Sequence, residues 1–223
     1  MFASFTISPT EISGHVTCVV FTYGCAGICD YCYNRELWKP KSDNQVSSQE
    51  ILDYIDCHNR KYHIITAVSI TGAEPLTCVD DIRQFTIDVF NRRLFVNLDT
   101  SLTQGFIEDL LPFLSRVSIT VKSVWPLYTS YVETNLRHIE QAGIPTEVRL
   151  VFTKVNVPSI IHNFQWLIKK FAINIKSLVV RPAVVTETNQ GKFEPITLGE
   201  YQDVVEYIRS LYGGRYDLRV VEM

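Results

Sequence analysis

Apolar, β-branched runs alternate along this chain with segments in which apolar residues recur at helical spacing. Turn residues stand at most of the junctions, so the pattern predicts a repeated βα unit. The short runs predict strands at about 15–21, 64–71, 94–99, 117–122, 146–152, 177–181 and 218–221. The amphipathic segments predict helices at about 47–59, 80–91, 104–114, 127–142, 160–171 and 198–212.

The first six predicted strands are each followed by a helix, and right-handed crossovers between them favour parallel pairing. The prediction is therefore a single α/β domain spanning residues 1–223. The pattern allows either an open doubly wound sheet or an incomplete, splayed barrel. In both architectures ligands bind at the carboxyl ends of the strands, so the chemistry is expected there.

Composition and charge exclude several classes of protein. The chain is 46% hydrophobic and 20% charged, which is typical of a globular protein. Its formal net charge of -3 argues against nucleic acid as a main partner. Residues 12–29 carry no Asp, Glu, Lys or Arg, yet they are too polar and glycine-rich for a membrane span. The first Lys or Arg is Arg35, so no secretory leader is indicated and we expect a cytoplasmic protein without a membrane partner.

Three of the six cysteines lie together. Cys25, Cys29 and Cys32 fall at i, i+4 and i+7 in the loop expected after the first strand. Structural zinc sites use four protein ligands, whereas three thiolates on an iron-sulfur cluster leave one iron open. A reduced-cysteine loop, or a zinc site completed by His15 or Cys57, is the alternative from the residues alone.

The cysteine loop resembles the signature of a known superfamily. Cys25-x3-Cys29-x2-Cys32, with Tyr31 before the last cysteine, is similar to the motif of the radical S-adenosylmethionine superfamily. Thr71-Gly72-Ala73-Glu74-Pro75 resembles its Gly-Gly-Glu-Pro motif, with Ala73 in place of the second glycine. Further segments follow in the expected order, namely Asn97-Leu98-Asp99-Thr100, Ser118-Ile119-Thr120-Val121-Lys122, Glu147-Val148-Arg149 and Arg181-Pro182.

Over residues 13–182 the chain looks like the activating enzymes of glycyl radical enzymes, especially activating proteins of anaerobic ribonucleoside-triphosphate reductase. The resemblance implies a partial (β/α)6 barrel with parallel strands, a core at 13–182 and a C-terminal helix and strand at 197–222. It also implies a [4Fe-4S] cluster held by Cys25, Cys29 and Cys32, and S-adenosylmethionine bound to the fourth iron. No further catalytic residue is expected beyond the cluster ligands.

The same resemblance assigns residues to the S-adenosylmethionine site. It implies that Glu74 accepts hydrogen bonds from the ammonium group, that Tyr31 flanks the adenine, and that Lys122 or Arg149 neutralises the carboxylate. The remaining positions that it implies for the pocket are Gly72, Ala73, Asp99, Thr100 and Arg181.

The implied activity is reductive cleavage of S-adenosylmethionine to a 5'-deoxyadenosyl radical that installs a glycyl radical on a partner enzyme. The partners would be a glycyl radical enzyme and an electron donor such as flavodoxin or ferredoxin. One alternative is a radical enzyme that acts on a small molecule, like 7-carboxy-7-deazaguanine synthase, and another is a non-catalytic iron-sulfur protein. The polar loop at 184–195 is expected either to meet a partner or to be an inert linker.

Overall fold

The computed structural model describes residues 2–27, 29–41 and 45–222, in which strands and helices largely alternate. The strands are β1 (Phe2–Ser8), β2 (Val16–Thr22), β3 (Ile65–Gly72), β4 (Phe95–Thr100), β5 (Arg116–Val121), β6 (Thr146–Phe152), β7 (Ile175–Pro182) and β8 (Asp217–Val220). The helices are α1 (Ser48–Tyr62), α2 (Val79–Asn91), α3 (Thr129–Ala142), α4 (Val157–Lys170) and α5 (Leu198–Tyr212).

The strands form one sheet whose spatial order follows the chain order from β1 to β8. Strands β2 to β8 pair in parallel, and β1 pairs antiparallel with β2. The edges of the sheet are β1 and β8, so the barrel is not closed. The predicted α/β class and the partial barrel of parallel strands are thereby confirmed.

Strand β1 was absent from the sequence prediction. Phe5 and Ile7 alternate there with Ser4, Thr6 and Ser8, a period-two pattern that is typical of a half-buried strand. Pairing with the buried β2 stabilises it as an edge strand of the sheet.

The prediction of a helix at 104–114 is wrong. This segment is irregular apart from one 3-10 turn at Leu111–Phe113. Gly105 has a φ of +66°, and a Cβ added there would lie 1.8 Å from the carbonyl oxygen of Leu76, so the backbone approaches the neighbouring turn too closely for a helix. Pro112 interrupts the pattern further.

The helix boundaries mostly follow local capping signals. Ser47 and Glu50 form the predicted capping box of α1, and Thr197 and Glu200 form another at the start of α5. The buried faces of the helices pack on the outer side of the sheet with fully buried residues such as Phe85. Burial of each large apolar side chain contributes about 1.5–3 kcal/mol to folding. No helix in residues 2–27, 29–41 or 45–222 is long and apolar enough to cross a bilayer.

Polar side chains form a network between strands β3 and β8, which we call the interior network. Its centre is Glu147 of β6, whose carboxylate accepts hydrogen bonds from Arg149 Nε at 2.8 Å, from Arg116 Nη1 at 3.3 Å and from Arg219 Nη2. The other members are Ser69, Asn97, Ser118 and Ser177, which continue the hydrogen-bond chain across β3, β4, β5 and β7. Such mutual pairing offsets the cost of burying these charges.

Candidate functional site

The loop after β2 carries the three clustered cysteines to the carboxyl edge of the sheet. Cys25, Cys29 and Cys32 are free and half-buried, and all three line the same cavity. Ile28, between the first two, lies outside the described residues. Within the described ranges, no group of three or more His, Cys, Asp or Glu side chains has an arrangement that could hold a metal ion. The structure therefore brings the three thiols to one cavity, and their joint ligation of a metal centre remains a prediction.

The returning segment at 34–38 supports one side of the cysteine loop. The backbone N–H groups of Gly24 and Cys25 donate to the carbonyl oxygens of Leu37 and Trp38, at 3.0 and 3.3 Å. Gly27 has a φ of +71°, and a Cβ there would lie 2.7 Å from the Trp38 ring, so only glycine fits without displacement. The loop is therefore packed closely against the indole ring.

The segment at 184–195, which we call the β7 loop, supports the same cysteine loop from another side. Asn189 is fully buried, and its side-chain amide donates to the carbonyl oxygens of Tyr31 at 3.0 Å and Val184 at 2.9 Å. The Thr188 hydroxyl donates to the carbonyl oxygen of Tyr33 at 2.7 Å. These bonds hold the backbone between Cys29 and Asn34, and contact of the β7 loop with a partner stays a prediction.

The segment Gly72-Ala73-Glu74, at the end of β3, is hydrogen-bonded to β2 and to the start of the cysteine loop. Gly72 has a φ of +123°, and a Cβ there would lie 2.4 Å from the backbone nitrogen of Thr22. The backbone N–H of Ala73 donates to the Thr22 carbonyl at 3.2 Å, and that of Glu74 donates to the Gly24 carbonyl at 2.9 Å. Gly72 is therefore required for contact with β2, whatever ligand binds. Both Gly72 and Ala73 also line the cavity.

Glu74 lines the cavity, but its side chain is 1% exposed. Its carboxylate accepts from the hydroxyl of Thr100 at 2.5 Å, from the backbone N–H and hydroxyl of Ser101 at 2.8 and 2.5 Å, and from the backbone N–H of Leu76 at 3.2 Å. Burial raises the pKa of Glu74, and these hydrogen bonds oppose the shift. The carboxylate thus joins the turn after β3 to the end of β4 through four protein donors.

Asp99 and Arg149 both line the cavity and are paired with each other. Arg149 Nη1 lies 2.7 Å from Asp99 Oδ2, and the same guanidinium contacts Glu147 at 2.8 Å and Glu11 at 3.3 Å. Burial disfavours its charge, but the three carboxylates raise the pKa of Arg149 above its ordinary value. The positive charge of Arg149 is therefore already balanced by carboxylates of the protein and does not need a ligand to balance it.

The other two basic side chains of the cavity differ in their contacts. Lys122 Nζ lies 5.2 Å from the centre of the Tyr31 ring and 3.5 Å from its hydroxyl. Burial disfavours the Lys122 ammonium, but Cys29 and Tyr31 beside it raise its pKa. The side chain of Arg181, near the end of β7, makes no hydrogen bond or ion pair with another residue in the described part of the chain, although it lines the same cavity.

The cavity as a whole encloses about 970 Å³ of space, including its open mouth. All twelve residues that the sequence assigned to the site line it, and they come from the loop after β2, the ends of β3, β4, β5 and β7, and the middle of β6: Cys25, Cys29, Tyr31, Cys32, Gly72, Ala73, Glu74, Asp99, Thr100, Lys122, Arg149 and Arg181. Sequence reasoning did not identify Asn189 or Gln104, which hold the cysteine loop through side-chain amides. No motif marks either residue, because each acts across more than 70 positions of the chain.

Several solved structures share this fold. SuiB of Streptococcus suis bound to S-adenosylmethionine matches with a TM-score of 0.68 and 15% identity, over 91% of this chain and 49% of that chain. QueE of Escherichia coli matches with a TM-score of 0.63 and 16% identity, over 100% of this chain and 93% of that chain. A domain of pyruvate-formate lyase-activating enzyme from Bacteroides vulgatus ATCC 8482 matches with a TM-score of 0.52 and 14% identity, over 70% and 99%. The chain spans about half the length of SuiB, and these identities establish the fold alone.

No curated protein matches the sequence. A family model does: residues 13–137, more than half of the chain, match the 4Fe-4S single cluster domain. This segment contains the three loop cysteines and the turn with Glu74, and thiolates are the protein ligands that iron-sulfur clusters require. The chain belongs to the 4Fe-4S single cluster domain family, and its cofactor is a [4Fe-4S] cluster.

Proposed function

We propose that the protein is a radical S-adenosylmethionine enzyme. The observation that carries this proposal is the convergence of three free thiols and polar strand-end residues on one cavity at the carboxyl edge of a splayed parallel sheet. The shared fold with SuiB bound to S-adenosylmethionine supports it. When bound, the reduced cluster supplies one electron that cleaves a carbon–sulfur bond of S-adenosylmethionine, and the 5'-deoxyadenosyl radical then abstracts a hydrogen atom from the substrate.

In this proposal the thiolates of Cys25, Cys29 and Cys32 would hold the cluster, and S-adenosylmethionine would bind beside it in the same cavity. Tyr31 flanks the adenine, and the backbone at Gly72 and Ala73 borders the methionine moiety. The polar walls of the cavity replace water around the ligand and fix its orientation.

The charged residues have distinct roles in the proposal. Arg181 binds the ligand carboxylate, because Arg149 already balances three carboxylates and Lys122 lies against Tyr31. Lys122 adds positive potential near that carboxylate, and Arg149 orients Asp99. The Glu74 carboxylate can accept a hydrogen bond from the ligand ammonium only if one of its four protein donors is displaced. Its main contribution is therefore to hold Thr100 and Ser101 at the cavity wall.

The first experiment tests for the cluster and for cleavage. Protein purified without oxygen and supplied with iron and sulfide should bind about four irons per chain. After reduction it should convert S-adenosylmethionine to 5'-deoxyadenosine. Cys32→Ala should lose both properties, whereas Cys57→Ala, which removes an exposed cysteine away from the cavity, should keep them. If the protein binds the full complement of iron and is reduced but forms no 5'-deoxyadenosine, it is a non-catalytic iron-sulfur protein.

For the substrate, we propose a glycyl radical enzyme, with an anaerobic ribonucleotide reductase as the first candidate and a flavodoxin or ferredoxin as electron donor. Two apolar side chains at the cavity, Tyr33 and Val184, are each 50% exposed. Exposed apolar residues beside a reactive site suit a polypeptide segment that covers them on binding. A glycine in such a segment would present its Cα hydrogen to the cavity.

A small-molecule substrate is the second candidate, because QueE matches this chain over almost the full length of both proteins. Electron paramagnetic resonance separates the two candidates. A glycyl radical signal on an added reductase, dependent on S-adenosylmethionine, supports the first. Turnover stimulated by a small molecule, with no protein radical on any candidate partner, supports the second.

A further inference from the structure

We propose that Gln104 is a positioning residue for the cluster, acting through Cys25. Its side-chain amide makes two contacts with the cysteine loop. Oε1 accepts a hydrogen bond from the backbone N–H of Ala26 at 2.9 Å, and Nε2 donates to the sulfur of Cys25 at 3.7 Å. One side chain thus fixes both the sulfur and the adjacent backbone. The inference rests on the proposed ligation of the cluster by Cys25.

The segment that presents Gln104 is held in place by buried hydrogen bonds. The Asn135 side chain, fully buried on α3, donates to the carbonyl oxygen of Gly105 at 3.1 Å and accepts from the backbone N–H of Ile107 at 3.0 Å. The Ser101 carbonyl accepts from the indole N–H of Trp125 at 2.9 Å. These contacts fix the backbone both before and after Gln104 in the sequence, so its side-chain amide extends from a fixed backbone. Preorganisation of this kind is what a supporting residue requires.

The sulfur of Cys25 receives a second donor from its own loop, because the backbone N–H of Gly27 lies 3.4 Å from it. Hydrogen bonds to the sulfurs are among the factors that set the reduction potential of an iron-sulfur cluster. Reduction adds negative charge to the cluster and its thiolates, so an N–H donor stabilises the reduced state more than the oxidised one. Loss of the Gln104 donor should therefore make the midpoint potential more negative.

Two substitutions remove the sulfur contact, one together with the backbone contact and one without it. Gln104→Leu removes both contacts, whereas Gln104→Glu keeps an oxygen that can accept from Ala26 N–H but replaces the donor to sulfur with a negative charge. The midpoint potential should fall from wild type to Gln104→Leu and fall further in Gln104→Glu. Gln84→Leu is the matched control, because Gln84 is exposed on α2 and its side chain bonds only to Asp88 among the described residues.

The measurement is a redox titration of the anaerobic, iron-loaded protein followed by electron paramagnetic resonance, with iron content and thermal unfolding measured on the same samples. Potentials of both Gln104 variants equal to wild type would overturn the inference. Equal losses of iron and of thermal stability in both variants would also overturn it, since Gln104 would then only support folding. Wild-type protein that takes up iron without a cluster signal would instead contradict the proposed function.

Discussion

Two glutamates of equal burial show how the cavity wall differs from the sheet interior beneath it. Glu74, at the cavity, is 1% exposed, and Glu147, in the interior network, is 2% exposed. The donors to Glu74 are hydroxyl and backbone N–H groups, whereas Glu147 is surrounded by Arg116, Arg149 and Arg219. Burial raises the pKa of Glu74, but the three guanidinium groups overcome burial and lower the pKa of Glu147.

This difference shows that burial alone does not determine the direction in which the pKa of a carboxyl group shifts in this fold. Neutral donors hold Glu74 in position but supply no opposite charge, so burial still disfavours its ionised form. The interior network balances charge with charge and leaves little for a ligand to contact. A cationic ligand group near Glu74 would favour its ionised form, whereas Arg149 is already paired with carboxylates of the protein.

The largest expected effect comes from removing the central carboxylate of the interior network. Glu147→Gln should lower the free energy of unfolding by about 3–5 kcal/mol, because three guanidinium groups lose their shared partner. Urea denaturation of the apoprotein measures this change. Glu194→Gln is the control, since its pair with Lys154 is exposed and should contribute less than about 1 kcal/mol. Equal losses in the two variants would contradict the comparison.

A second prediction concerns the unpaired charge of the cavity. Arg181→Gln should weaken S-adenosylmethionine binding by about 1.5–3 kcal/mol, the contribution of a hydrogen bond to a charged group. Calorimetry on the cluster-loaded protein measures this affinity. Arg83→Gln, on the exposed face of α2, should leave it unchanged. If Arg181→Gln binds S-adenosylmethionine with unaltered affinity, the ligand carboxylate is bound by Lys122 or Arg149 instead.

A third prediction separates the structural role of Glu74 from ligand binding. Glu74→Ala leaves the donors at Leu76, Thr100 and Ser101 without their acceptor, and it should lower the free energy of unfolding of the apoprotein by about 1–3 kcal/mol. Glu74→Gln retains one acceptor oxygen and should cost less. If both variants unfold like wild type but bind S-adenosylmethionine weakly, Glu74 serves the ligand alone.

The smallest effect is a difference in pH dependence between the two glutamates. The folded pKa of Glu147 is lowered, so its stabilisation is present above its unfolded value, about 4.3, and is lost as pH falls through the folded value. The folded pKa of Glu74 is raised, so its contribution is present below the unfolded value and is lost as pH rises through the folded one.

Denaturation of wild type, Glu147→Gln and Glu74→Gln between pH 3 and pH 7 tests these signs. The stability difference between wild type and Glu147→Gln should shrink in acid. The difference between wild type and Glu74→Gln should shrink toward neutral pH. Parallel trends in the two series would show that the partners of the two groups do not control their ionisation.

The sequence predicted those features that local chemistry determines. Helix α5 spans Leu198–Tyr212 as predicted, because its apolar spacing begins at a capping box. The shared cavity of the cysteines and the strand-end residues followed from parallel strands, whose carboxyl ends meet at one edge. The error at 104–114 and the omission of Asn189 have a common cause. Gly105 packs against Leu76 and Asn189 bonds to Tyr31, and such contacts between distant segments leave no local pattern.

The chain-order arrangement of the strands has a consequence for synthesis. Each new parallel strand can add to the edge formed by the one before it, so we expect the sheet to grow from its N-terminal side as the chain leaves the ribosome. Glu147 then meets Arg116 and Arg149 early but gains Arg219 only when β8, the last strand of the sheet, is added. Until that moment the edge of β7 is open to pairing with other chains. Arrival of Arg219 therefore completes the charge balance and covers the last exposed edge of β7 in one step.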